Sequence, residues 1–218
     1  MDQKEVWNSI AQPWKTFRVK PLKEVVEFLK NKEGKILDLG CGTGRNFLKI
    51  KGIIYGVDFS EEMLEHAKKY SKKNKIKAEF VEASAASLPF KDNFFDSAIF
   101  IAALHCIPNA KERENSLKEL LRVLKPNSKA LITVWNYNQE KFKNSKRESF
   151  IPWKYDGNKY MRYYYLYDEK EFLSLLKKVG FEIIKIMDKE NPSGLFSRKN
   201  IITIVKKPDQ FFLWKKGK

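Results

Sequence analysis

Apolar residues open the chain in a helical rhythm. An amphipathic leader runs over 6–30, clearest from Pro21 onward, where Leu22, Val25, Val26 and Leu29 share one face. Short apolar runs then alternate with helical stretches. KILDLG (35–40) and IIYGVD (53–58) read as strands, the first ending in glycine and the second in aspartate. Ser60, followed by acids, caps a helix over 60–73. Residues 76–83 alternate as a strand and 95–104 read as a buried one. A helix over 114–125 stops at Pro126, and 129–135 is a further strand. This alternation predicts a doubly wound α/β fold, with a mainly parallel sheet and helices on both faces.

From residue 136 to 167 the rhythm breaks into a polar, basic and aromatic stretch. A helix over 169–180 follows, then two strands, 181–187 and 200–207, expected at the sheet edge. With no internal repeat and no low-complexity linker, the pattern predicts one domain. Its parts are a leader (1–33), a core (34–135), an insertion (136–167), and a final helix with two strands (168–207). The tail, 208–218, reads either as disordered or as a small basic-aromatic anchor.

Charge adds a partner class. Lys and Arg number 43 against 27 Asp and Glu, a net +16, which favours polyanions and nucleic acid first. Only seven of the basic residues are arginine, so the lysine excess is also what a compositional habit would produce. Arginine is preferred where planar, bidentate geometry matters, so each one asks for a specific use. The longest apolar run, 98–104, is too short to cross a bilayer, and the first residues lack an apolar signal stretch. Both point to a cytoplasmic protein with no membrane partner. Cys41 and Cys106 form neither a disulfide framework nor a metal spacing, so no metal site is expected.

Candidate chemistry begins at ILDLGCGTGRN (36–46), where a strand runs into Gly40, Gly42 and Gly44. Glycines let backbone turn sharply and approach a ligand, and a following helix would offer unpaired N–H groups. The spacing is GxGxG, and Arg45 stands where a dinucleotide fingerprint places its third glycine, which argues against a nicotinamide enzyme. Asp58, ending the second strand, can accept both ribose hydroxyls of a nucleoside.

LDLGCGTG, VDFS, VEASAASLPF, FDSAIFIAALHCI and LKELLRVLKPNSKALITVW, in that order over about residues 34–135, resemble the class I S-adenosylmethionine (SAM)-dependent methyltransferases. The resemblance implies a Rossmann-like seven-stranded sheet with the last strand antiparallel. It implies SAM held by Gly40, Cys41, Gly42, Thr43 and Gly44, with Asp58 on the ribose and Phe59 near the adenine. Ser84 and Ala85 stand where the family has Asp-Ala, so Ser84 replaces the usual acceptor for the adenine amino group, and Glu82 is a possible substitute. Ile101 matches the position whose backbone faces the methionine moiety. His105, at a strand's C-terminal end, lies on the ligand side as a substrate contact, a general base or a loop hydrogen bonder.

The flanks suggest the acceptor. WNSIAQPWKTFRVKPLKEVVEFL (7–29), RYYYLYDEKEFLSLLKKVGF (162–181) and RKNIITIVKK (198–207) are similar to the tRNA wobble-uridine carboxymethyl methyltransferases, including the methyltransferase domain of the AlkB-like tRNA enzyme. Leu22 and Tyr165 replace a tryptophan and a histidine common there. The resemblance implies esterification of a carboxymethyl group on uridine 34 in a tRNA anticodon loop, not DNA, and a small zinc-binding activator subunit as partner. A carboxylate is already ionised and needs alignment more than a base. Arg18 and Arg162 are the candidate clamps. Tyr163 and Tyr165, on one face of an alternating stretch, are the candidate stacking platforms. Lysines of KFKNSKR (141–147) and of KKYSKKNKIK (68–77) would reach phosphates. A small-molecule methyltransferase of quinone or metabolite type shares the core motifs, and a non-catalytic RNA-binding subunit would keep the fold.

Overall fold

A computed structural model describes residues 2–17, 19–187 and 199–209. Among these residues nine strands form: β1 (Glu33–Leu39), β2 (Lys51–Asp58), β3 (Ala78–Glu82), β4 (Phe95–Ile101), β5 (Leu124–Trp135), β6 (Glu148–Tyr155), β7 (Asn158–Tyr165), β8 (Glu182–Ile186) and β9 (Asn200–Lys206). Seven make one sheet in the order β3-β2-β1-β4-β5-β9-β8, and only β9 runs against its neighbours. The doubly wound Rossmann-like prediction holds, with one correction at the edge. β8 alone is the edge strand, and β9 lies between it and β5. β9 is buried along nearly its whole length whereas β8 is mostly exposed. A continuous apolar run such as NIITIV belongs inside a sheet, covered on both faces.

Helices cover both faces. α2 (Lys23–Leu29) and α3 (Glu61–Asn74) set Val25, Leu29, Leu64 and Ala67 against Ile36, Ile54, Ile99 and Leu131. α4 (Ala110–Val123) and α5 (Glu169–Val179) bring Leu117, Leu120, Phe172 and Leu176 onto Leu37, Phe100 and Ile132. α1 (Gln3–Phe17) buries Val6, Ile10 and Ala11, and Asn8 accepts a 2.5 Å hydrogen bond from Ser60 at the start of α3.

The helix expected after the glycine loop does not form. Between Leu39 and Lys51 the chain makes successive turns, Gly44 N–H to Cys41 O and Phe47 N–H to Gly44 O, then runs irregularly into β2. Three positive-φ glycines in five residues (40, 42 and 44) leave too few consecutive right-handed positions to nucleate a helix. The segment 136–167 contains order that its composition hid. β6 and β7 pair as an antiparallel hairpin through a turn at Asp156 (φ 50°) and Gly157 (φ 71°). Asp-Gly with both φ positive is the twist-matched hairpin turn. The hairpin base is pinned to the end of β5, where Tyr137 N–H donates to Tyr167 O at 2.7 Å and Tyr167 N–H to Trp135 O at 3.2 Å. The run over 68–77 falls at the C-terminal end of α3 and the start of β3, opposite the ligand-side ends of the parallel strands. Its lysines are therefore far from the expected acceptor.

Candidate active site

Strand order reverses between β1 and β4, and there a cavity of about 200 Å³ opens. Gly40, Cys41, Gly42, Thr43, Asp58, Phe59, Ser84, Ala85 and Ile101 all line it, as do Trp7 and Trp14 of α1. Gly44 does not. Its φ is +78°, and a Cβ there would lie 3.2 Å from Ala67, so its glycine serves the close approach of the loop to α3. Gly42, with φ +53°, has nothing within 4 Å of an added Cβ, leaving the backbone open to the cavity.

Asp58 is held by backbone. Gly42 N–H donates to Oδ2 at 2.8 Å and Ser60 N–H to Oδ1 at 3.0 Å. Burial raises its pKa to about 6, against the pull of those N–H groups and of Phe59. A carboxylate keeps lone pairs beyond the two used, so ribose hydroxyls still find acceptors. Behind the loop Asp38 is 1% exposed, and neither oxygen has a hydrogen-bond partner among the described residues. Burial, then the charge of Asp58, pushes it up, and Arg45 pulls it down. Ser84 accepts from Ala86 N–H at 3.2 Å, while Glu82 forms a 2.6 Å ion pair with Lys4 of α1 and is absent from the cavity wall. Glu82 is therefore no substitute for the missing aspartate. The residues present fit an adenosyl cofactor: a fixed carboxylate at ribose height, an open backbone loop and a short-chain hydroxyl at the far wall.

A second, narrow chamber of about 40 Å³ adjoins the first and shares Trp7, Trp14, Arg45 and Ala102 with it. Its remaining wall is His105, Trp135 and Tyr164. The three rings lie nearly parallel, Trp135 and Tyr164 at 4.3 Å and 11°. His105 is fully buried, and its Nδ1 accepts from Trp135 N–H at 3.2 Å. Burial lowers its pKa to about 3, so it is neutral. The ring proton then sits on Nε2, which has no partner among the described residues. That arrangement favours His105 as a hydrogen-bond donor over a general base.

The alternation along 162–167 divides the tyrosines as expected, but the cavity side is the other one. Tyr163 and Tyr165 turn toward α4, where the Arg113 guanidinium donates to Tyr163 Oη at 3.3 Å and stacks 4.1 Å from the Tyr165 ring. Tyr165 Oη also donates to Glu171. Neither lines a chamber. The direction follows from the register, which sends even-numbered positions of β7 toward α1 and the end of β5. Arg162 lies on this side, 6% exposed, and donates from Nη1 to Tyr164 Oη at 2.8 Å. Its guanidinium stands 5.0 Å from the Trp153 ring and 5.5 Å from Trp14. It has no ion pair, and its Nε no hydrogen bond, among the described residues. It touches Trp14 and Tyr164, which line the chamber, from behind. Arg18 lies outside the described residues.

Sequence reasoning missed Arg45, Trp7, Trp14, Trp135 and Tyr164 as wall residues. Only the arginine carried a local signal, as one of seven.

Residues 37–132 match the methyltransferase domain family. Uncharacterized protein MJ1252 of Methanocaldococcus jannaschii is 37% identical over 84% of this chain and 78% of its own length. The tRNA (carboxymethyluridine(34)-5-O)-methyltransferase ALKBH8 of Mus musculus is 34% identical over 65% of this chain, which spans 21% of that protein. The 2-phytyl-1,4-naphtoquinone methyltransferase of Nostoc punctiforme is 40% identical over 60% of this chain and 57% of its own. Among solved structures, a SAM-dependent methyltransferase of Methanosarcina mazei superposes with TM-score 0.69, 24% identity, and 87% and 100% of the two chains. A methyltransferase candidate in complex with the Haloferax volcanii Trm112 activator gives 0.67, 16% identity, 96% and 97%. The chain belongs to the class I SAM-dependent methyltransferases. SAM is its cofactor and methyl transfer its reaction.

Proposed function

We propose that this enzyme esterifies the carboxylate of a 5-carboxymethyl-type uridine at position 34 of tRNA. The observation that carries the acceptor is Arg162: a buried guanidinium with no carboxylate partner among the described residues, held by Tyr164 Oη and boxed by aromatic rings beside the cofactor cavity. A buried cation held without a counter-ion is costly, and an incoming carboxylate relieves that cost. The mouse relative's acceptor, as its name states, is carboxymethyluridine 34.

In this reading Asp58 takes the ribose hydroxyls, Phe59 flanks the adenine, and the loop from Gly40 to Thr43 passes the methionine portion. Bound SAM supplies a methyl group on a sulfonium centre. Arg162, with Arg18 or Arg45, orients the acceptor carboxylate through one oxygen while the other faces the methyl. His105 Nε2–H donates to an oxygen of the acceptor. The pyrimidine stacks against Tyr164 or Trp135, whose rings lie 4.3 Å apart until one of them moves. A chamber of about 40 Å³ holds roughly one water, so base entry requires Trp14 or Tyr164 to swing aside. A small activator subunit, zinc-binding as the family resemblance implies, is the proposed partner, in keeping with the Haloferax neighbour's complex with a methyltransferase activator, and the cytoplasm the proposed site of action. Among the described residues no helix is long and apolar enough to cross a membrane.

The Nostoc relative's name supports a second reading, a quinone-type acceptor stacked in the same aromatic chamber. Labelled SAM incubated with total tRNA, with and without an activator subunit, and followed by nucleoside mass analysis, separates them. A methyl ester on a carboxymethyl uridine establishes the proposal. Transfer to a quinone acceptor and none to tRNA in either condition rejects it.

A further inference from the structure

We propose that the outer face of the β6–β7 hairpin seats the ribose–phosphate backbone of the acceptor RNA, flanking the nucleotide that enters the chamber. This rests on the tRNA reading above. The strand register places Phe150 opposite Tyr163, Pro152 opposite Met161 and Lys154 opposite Lys159, so these six side chains share one face. The other face carries Trp153, Arg162 and Tyr164 and is already covered by Trp14 of α1 and by His105 and Trp135. At its base the outer face is covered where Tyr163 packs on Arg113 of α4, and toward the tip it has no such cover among the described residues. Phe150 is 58% exposed, with its ring edge-on to Tyr163 at 5.6 Å, and Pro152, Lys154 and Lys159 are exposed.

Lys154 and Lys159 are the telling pair. Like charges directly opposite on neighbouring strands destabilise a hairpin. A two-stranded ribbon has little stability to spare. Neither lysine has a carboxylate partner among the described residues, although Asp156 lies in the turn between them and Glu148 at the hairpin base. A phosphate settling between the two ammonium groups removes the repulsion and releases counterions. The geometry suits a nucleotide chain. Lys159 is five residues from Tyr164, about 17 Å at 3.3 Å per residue, so the tip reaches a few nucleotides from the base held at the chamber. Phe150, between tip and chamber, offers a ring on which a flanking base can stack without sequence preference. The two lysine-rich runs singled out in the sequence do not do this work. One is at the far end of the sheet, and in the other Lys141 is laid over Trp135 and Phe142 while Arg147 pairs with Asp168.

The test compares wild-type protein with the double variant Lys154→Gln/Lys159→Gln, with Phe150→Ala, and with Lys154→Arg/Lys159→Arg. Total tRNA binding is titrated over a range of salt, and SAM affinity is measured beside it as a check on folding. The glutamine pair is expected to weaken tRNA binding about tenfold or more and to lower the slope of log affinity against log salt by about 1–2. Phe150→Ala should weaken it about tenfold with the slope unchanged. The arginine pair should restore wild-type binding, with SAM affinity within about twofold throughout. Unchanged tRNA affinity and slope in the glutamine pair overturn the proposal. So does loss of binding to anionic phosphatidylserine vesicles with tRNA binding intact, which assigns the face to a membrane. If wild-type protein binds tRNA through these lysines yet methylates none, the acceptor assignment fails while the surface stands.

Discussion

Asp58 couples the cofactor site to pH. Its pKa of about 6 reflects burial, and ribose hydroxyls donate best to the ionised form. SAM affinity should therefore fall up to tenfold per pH unit below about 6, and Asp58→Asn should flatten that dependence. Calorimetric titration from pH 5 to 8 checks both. The sign for the cofactor-free protein is opposite. The folded state holds this proton up to about pH 6 while the unfolded chain releases it near 3.8, so this group's contribution to stability falls as pH rises between the two. His105, neutral down to about pH 3, should contribute no inflection to kcat between pH 5 and 8. His105→Gln, which keeps a donor, should retain more activity than His105→Phe. A histidine-like inflection lost in both variants would reinstate a base. At Arg162, a lysine keeps the charge and loses the planar fork, so Arg162→Lys should cost about 2–3 kcal/mol in kcat/KM, roughly a hundredfold, with SAM binding intact. Gly40, Gly42 and Asp58 were legible because a tight loop after a strand and an acid after the next leave local marks. Tyr164 was not: alternation sorts residues into two faces but does not say which face a fold will use.

At the scale of elements, the glycine loop separates two kinds of glycine. Gly44→Ala strains a left-handed backbone and presses on Ala67, which predicts a loss of about 1–3 kcal/mol in stability, read by denaturant melting. Gly42→Ala carries the same left-handed strain (φ +53°) but meets no neighbour and brings a methyl group toward the cavity, so it should add a loss of SAM affinity to a smaller stability cost. Inverse results would exchange the roles. The missing helix after the loop and the hairpin in 148–165 show the same physics from two sides. Three left-handed glycines in five residues suppressed a helix that the motif suggested. A two-residue Asp-Gly turn built strands where composition suggested irregular chain. Both signals are short, and both lie within the sequence. The position of β9 inside the sheet was likewise readable, from apolar residues on both faces of the strand.

For the whole molecule, the charge of +16 says that a polyanion is welcome, not where. The tertiary arrangement spreads the lysines over both ends of the sheet. Only those near the C-terminal ends of β1, β4 and β5, or on the hairpin above them, can meet an acceptor whose reactive atom lies at the cavity. If RNA is the substrate, methyl transfer to tRNA should weaken steeply with salt, log kcat/KM falling by roughly 0.7–0.9 per log unit for each phosphate contact. Transfer to a neutral quinone should be nearly insensitive. A kinetic series from 50 to 500 mM salt distinguishes them.

The doubly wound architecture, the cofactor and the glycine loop that lines the cavity were written in order along residues 34–135, because strand–helix alternation and a glycine-rich turn are local patterns. The narrow chamber beside the cavity belongs to the fold alone. It joins Trp7 and Trp14 from the first helix, Arg45 from the glycine loop, His105 from the turn that follows β4, Trp135 from the end of β5, and Tyr164 from a hairpin more than a hundred residues past the loop. No spacing along the chain encodes that meeting. It follows from the sheet order, from the bridge that pins Tyr167 beside Asn136, and from the register that turns Arg162 and Tyr164 inward.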